Sequence, residues 1–156
     1  MDWSVKAFAD LTLDDLYDVL NLRNLVFVVE QNCVYLDTDG HDQKALYVMG
    51  RKNGKLLACC RILLPGEKYP EWAVGRVVTA PEARKLGLGK ELTRHAIDAV
   101  QQRGGQSIRI SAQAYLKKFY QEQGFEVVGN PYDEDGIPHI EMLWMASGLR
   151  SAGGAV

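Results

Sequence analysis

The chain is short of what many small-protein classes depend on. Its 156 residues include three cysteines, and two of them, Cys59 and Cys60, are adjacent. That number and spacing make neither a disulfide framework nor a spaced metal site. No metal is therefore expected, and a reducing cytoplasm is the expected location. No apolar run reaches the roughly 18 residues of a membrane span. The opening stretch, MDWSVKAFAD, lacks the basic start and apolar centre of a secretory signal. The formal net charge is only −2, so no strong overall field invites nucleic acid or an anionic membrane.

What remains reads as one globular domain, residues 1–146, followed by a tail of small residues at 147–156. Apolar residues make up 47% and charged residues 24%, which is ordinary for a folded domain of this length. Residues 5–8 read as a first strand. From Leu13 to Val26, apolar residues recur at helical spacing, with Thr12 as N-cap and Asp14 and Asp15 in the first turn. CVYLDTDGHDQ breaks the pattern with turn formers and reads as a loop. Asn53-Gly54 then joins two strands as a hairpin. EWAVGRVVT is another strand, ended by Pro81. Residues 87–103 form an amphipathic helix stopped by Gly104-Gly105. SIRISA, the helix YLKKFYQEQ and the strands FEVVG and PHIEMLWMA complete the chain, with NPYDEDGIP as a turn. The order predicts an α/β (α+β) architecture: a mixed sheet of about seven strands flanked by helices.

The chemistry gathers around ARKLGLGKEL, residues 83–92. A strand runs into a turn there, and a helix follows at once. Glycines at such a place let the chain turn tightly, and the first helical amides stay free to donate. The helix dipole adds positive potential at the same point, so the loop suits a pyrophosphate. Arg84, Lys85 and Lys90 reinforce the sign. A nucleoside-triphosphate loop does not fit, because Lys90 is followed by Glu91. A dinucleotide fingerprint does not fit either, because the third glycine is replaced by Leu92.

The pattern that does fit, R-x-x-G-x-G three residues after a strand-closing proline, resembles the acetyl-CoA signature of GNAT N-acyltransferases. FYQEQGF adds Tyr120, Gly124 and Phe125, similar to that family's Y-x-x-x-G-[FY]. LRNLVFVVEQNCVYLDTDGHD, AQAYLKKFYQEQGF and EDGIPHIEM resemble the ElaA-like branch, and the likeness extends over residues 16–142. The resemblance implies acetyl-CoA as cofactor. It implies pyrophosphate contacts from Arg84, Lys85, Leu86, Gly87, Leu88, Gly89 and Lys90, with pantetheine and acetyl contacts from Val77, Val78 and Thr79. It also implies Tyr120 as the acid that protonates the leaving thiolate. Three positions depart from the family pattern. Thr79 stands where valine is usual, Lys117 replaces a common alanine, and Ala114 replaces an asparagine that touches the cofactor. That last contact is either lost or taken over by Gln113.

The acceptor implied is a small-molecule or peptide amine, attacking the thioester directly, and a homodimer is left open by the edge strands. Glu30 is a candidate base at the cleft, with Arg23 two helical turns before it as a substrate or ion-pair partner. Asp37, Asp39 and Asp42 offer an acidic loop that attracts a cationic amine. His139 on the last strand is a candidate substrate-binding base. Each has a structural alternative: a Glu30–Arg23 pair, solvated aspartates, a hydrogen-bonded histidine. A non-catalytic acyl-CoA-binding or sensor protein is the alternative to the enzyme. Cys59 and Cys60 lie in an apolar strand and read as buried small hydrophobes rather than nucleophiles.

Overall fold

The computed structural model describes residues 1–147, so the expected tail lies, but for Ser147, outside the described residues. Eight strands, β1 (Asp2–Ala7), β2 (Leu46–Lys52), β3 (Lys55–Leu63), β4 (Trp72–Thr79), β5 (Ser107–Gln113), β6 (Phe125–Val127), β7 (Tyr132–Glu134) and β8 (Ile137–Met145), make one sheet. Among the elements of the described residues are three α-helices, α1 (Leu13–Arg23), α2 (Leu88–Gln102) and α3 (Lys117–Gln121). The sheet order is β1-β2-β3-β4-β5-β8-β6, and β7 also pairs with β8.

Local chemistry explains most of these elements. The Thr12 side chain accepts the Asp15 amide at 2.9 Å, and Asp15 Oδ2 accepts the Thr12 amide at 3.1 Å, a reciprocal cap that starts α1. Asn53 and Gly54 both take positive φ, as a two-residue hairpin requires. In α2, Leu88, Leu92, Ala96 and Val100 fall on one buried face. Burying each leucine there contributes roughly 1.5–3 kcal/mol. That face packs on β3 and β4, over a core that includes Val48, Ile62, Ile108 and Met142.

Two elements differ from the sequence reading. The first helix does not stop or stay regular: past Arg23 it widens into a π-helical stretch over Asn24–Glu30, with the Gln31 amide reaching back to the Val26 carbonyl at 3.1 Å. Residues 130–138 are not only a turn. Asp135 and Gly136 take positive φ and close a hairpin between β7 and β8. The eighth strand was hidden because β7 is three residues long and carries no apolar alternation.

Candidate active site

All strand pairs are antiparallel except β4 and β5, which run parallel and pair only at Trp72↔Ile108 and Ala73↔Arg109. Beyond that point the two strands diverge, and a cleft of about 1070 Å³ opens between them. Its walls include Val77, Val78 and Thr79 from β4 and Gln113 from β5. The β4 wall is bulged. Cys59 faces Val78 but Arg61 faces Gly75, so Arg76 and Val77 stand opposite the single residue Cys60. Such a bulge takes backbone groups out of the ladder, and Arg76 sits at φ +50° to make it.

The turn from β4 to α2 forms the mouth. Lys85 and Gly87 both take φ +73°, and only at Gly87 does this come free of side-chain strain. The Glu91 amide, donating to the Gly87 carbonyl, opens the helical ladder. The amides of Leu88, Gly89 and Lys90 therefore precede it and lack intrahelical partners. Arg84, Lys85, Gly87, Leu88, Gly89 and Lys90 all line the cleft, whereas Leu86 turns out of it and is exposed.

Glu30 does reach this mouth, but not with Arg23. Arg84 holds it in a two-pronged ion pair, Nη1 donating to Oε2 at 3.0 Å and Nη2 to Oε1. The Arg84 guanidinium keeps the Glu30 carboxyl below its ordinary range, and Glu30 in turn raises Arg84. At the floor of the cleft lies Tyr120. Its ring meets Phe119 and Phe125 edge-on at 5.0 and 5.6 Å between centroids. Burial first, then the neighbouring Cys60 and Tyr115, push its hydroxyl above the ordinary tyrosine value. No hydrogen bond among the described residues engages that hydroxyl. Gln113 donates to Gln31 Oε1 at 3.4 Å, bridging β5 to the end of the π-helical stretch.

Arg23 is placed elsewhere. It is 1% exposed, is not part of the cleft wall, and grips Asp37 and Asp42 with bonds of 2.7 Å each. The acidic loop is likewise not a solvated cation trap. Asp37 and Asp42 are buried, and Asp39 pairs with Arg61 and Arg76. Three guanidiniums thus take up three carboxylates, because charges leave water only when paired. The aspartates are therefore not free: they pin residues 33–44 over the cleft, and Asp39, exposed and paired, is the one of the three that lines it. His139 does line the cleft, beside Glu134 of the unforeseen β7. The Asp-Gly pair at 135–136 was the signal that would have found that strand. Cys59 and Cys60 are buried, as read, and burial pushes the Cys59 thiol up to about 12. A thiolate nucleophile there is disfavoured.

No helix among the described residues is long and apolar enough to cross a membrane. The family described as an acetyltransferase (GNAT) domain matches residues 26–146. A UPF0039 protein of Synechocystis is 40% identical over 146 residues, covering 92% of this chain and 95% of that protein. Among solved structures, an acyl-CoA N-acyltransferase from Pseudomonas aeruginosa superposes with a TM-score of 0.87 at 41% identity, covering 92% of this chain and 99% of that one. Escherichia coli ElaA superposes at 0.85 with 36% identity, covering 92% and 98%. The overall fold is thus shared with ElaA, and the chain belongs to the GNAT acetyltransferase family.

Proposed function

We propose that the protein is an N-acyltransferase that moves an acetyl group from acetyl-CoA to a primary amine. The observation that carries this is the pairing of a deep cleft with unclaimed helix amides at its mouth. The amides of Leu88, Gly89 and Lys90, with Arg84, Lys85 and Gly87, suit a diphosphate. Val77, Val78 and Thr79 border a slot between diverging strands where an extended pantetheine chain fits. Acetyl-CoA supplies the acetyl group already activated as a thioester. Backbone amides freed at the bulge near Val77 polarise the carbonyl and hold developing negative charge in a partly dry site. Tyr120 gives its phenolic proton to the departing sulfur. Holding both partners in one cleft supplies much of the remaining acceleration.

Calorimetry with coenzyme A, ATP and NAD, followed by thiol release with a panel of amines, tests the reading. Coenzyme A is expected to bind in preference to the other two, and amines to drive thiol release. A preference for ATP or NAD overturns it. Tight coenzyme A binding with no turnover on any amine converts the protein into a sensor.

Glu30 competes with the diphosphate for Arg84. Replacing Glu30 with Gln is therefore expected to tighten coenzyme A binding by up to about fivefold, the range of an exposed ion pair. The gain should shrink as salt rises, because exposed charges are screened. Unchanged or weaker binding in calorimetry at low salt would detach Arg84 from the cofactor.

A further inference from the structure

Gly75 lacks a side chain for no reason internal to the protein. Every other glycine of the described residues either takes a positive φ or would set a Cβ within 4 Å of a neighbour, as at Gly50, where Trp3 stands 2.6 Å away. Gly75 does neither. It is an interior position of β4, its φ is not positive, and a Cβ there would meet nothing within 4 Å. Glycine weakens a strand, and inside one it often marks the close approach of a ligand. The open space is the cleft, which Gly75 lines. Register fixes the face on which the gap opens. Trp72 lies against Gly105 at the end of α2, and side chains alternate along a strand, so Ala73 and Gly75 open on the other face. There Gly75 pairs with Arg61, and Ala73 with Arg109. The glycine turn and α3 stay on the α2 face, joined where Phe119 meets Gly89 at the ordinary contact distance of a Cβ. A group seated on Gly75 therefore enters from the side opposite the cofactor loop.

We infer that Gly75 sets the specificity for the acceptor, and that the gap above it seats the uncharged, flat body of an arylalkylamine. This rests on the N-acyltransferase reading. Gly75 lies two residues past the last pairing of β4 with β5 and two short of Val77, at the point where the strands part. Two strand residues span roughly 7 Å, about the reach of an ethylamine arm from a ring to the bulge. The walls offer aromatic surface. Phe27, Tyr35 and Tyr69 line the cleft, and Tyr69 is held on this face by the Arg109 guanidinium, 5.8 Å from its ring centre. Aromatic rings prefer such stacked or edge-on company. The carboxylates of the same face are already engaged. Asp39 holds Arg61 and Arg76, Glu134 holds His139, and Glu141 holds Arg109. A second ammonium on the acceptor would have to break one of those pairs. Asp135 and Lys68 also line the cleft, but both are exposed and open to screening. The face thus favours a ring over a chain of cations.

The test uses the full chain, acetyl-CoA, and tyramine, ethylamine and spermidine as probes. The wild type is expected to favour tyramine over spermidine by about tenfold or more in kcat/KM, the worth of a few well-seated carbons; a preference for spermidine overturns the inference. Gly75→Val fills the gap with a side chain that suits a strand, and Gly75→Ala fills it in part. Both are expected to bind coenzyme A like the wild type in calorimetry, since the gap opens away from the cofactor loop. For tyramine, kcat/KM should fall about tenfold or more in Gly75→Val and by less in Gly75→Ala, while ethylamine stays within about threefold in both. Saturation-transfer NMR of tyramine on the protein loaded with coenzyme A reads the seat without catalysis: the ring signals are expected in the wild type and lost in Gly75→Val. Melting curves beside the wild type check the fold. Gly75→Ala carries the comparison if Gly75→Val does not fold, because alanine at a compatible backbone position stabilises a chain. Equal losses for tyramine and ethylamine, or no loss for either, overturn this inference alone. Absence of amine-dependent thiol release in the wild type overturns the transferase reading and this inference with it.

Discussion

Tyr120→Phe is expected to bind coenzyme A like the wild type and to lower kcat by about 10²-fold or more, as loss of a positioned acid does. The substitution is clean. The ring keeps its edge contacts with Phe119 and Phe125, and the hydroxyl leaves no orphaned partner, since nothing among the described residues bonds to it. Folding should therefore survive, and thermal melting beside the wild type checks that. The raised hydroxyl value has a consequence of definite sign. Tyr120 stays protonated well past neutral pH, because burial disfavours the phenolate. An alkaline fall in rate below the ordinary tyrosine range thus belongs to another group. With a more acidic thiol leaving group the penalty of Tyr120→Phe should shrink, because a stable thiolate needs no proton. An unchanged kcat with acetyl-CoA removes Tyr120 as the acid.

Much of the fold was legible because its determinants are local. The Thr12–Asp15 cap spans three residues, the Asn53-Gly54 turn two, and the α2 stripe repeats every fourth position. The glycine turn between β4 and α2 belongs to the same class, since a turn and a helix start are read from neighbours. The ion pairs along the cleft were not legible, because they join distant positions. Glu30 meets Arg84 across 54 positions, and Arg61 meets Asp39 across 22. No pattern in a short window chooses between Arg23 and Arg84 as the partner of Glu30. Charge alone made the aspartate loop look unpaired; only the convergence of α1, β3 and the β4 bulge supplies three guanidiniums to pair with it. The β7 strand failed for another reason. It holds its place through pairing with β8 and through Tyr132 and Glu134 against Ser111 and His139, none of which leaves a hydrophobic period.

Arg23→Ala is expected to cost about 3–5 kcal/mol of folding stability, the penalty for stripping one partner from a buried ion cluster. Arg23 binds Asp37 through Nε and Asp42 through both terminal nitrogens. Asp42 also accepts the Tyr47 hydroxyl at 3.0 Å and Arg61 at 3.1 Å. Removing Arg23 leaves Asp37 to Arg76 and Asp42 to Arg61, so three carboxylates face two guanidiniums and one charge in a buried space loses its compensation. Denaturant unfolding measures the loss, and the double variant Arg23→Ala/Asp42→Asn should recover part of it, since one surplus charge is gone. A cost below about 1 kcal/mol, the value of a surface pair, would mean water reaches the cluster. Acid response gives a second check. Burial pushes the Asp42 carboxyl up, but its hydrogen bonds to Arg23 and the charges of Arg23 and Arg61 outweigh that, and the net is a lowered value. Asp39 is lowered in the same way by Arg61. The unfolded chain therefore takes up protons first, near the ordinary value of about 4. The stability these groups contribute is whole above that pH and drains away as pH falls through their lower folded values. In Arg23→Ala the Asp42 share of that slope should shrink, since Arg61 and Tyr47 remain, while the Asp39 share stays, so the variant's stability curve runs flatter into acid than the wild type's. The residues involved also hold the loop over the cleft, so on the proposed transferase reading KM for the amine should rise more than the coenzyme A affinity falls.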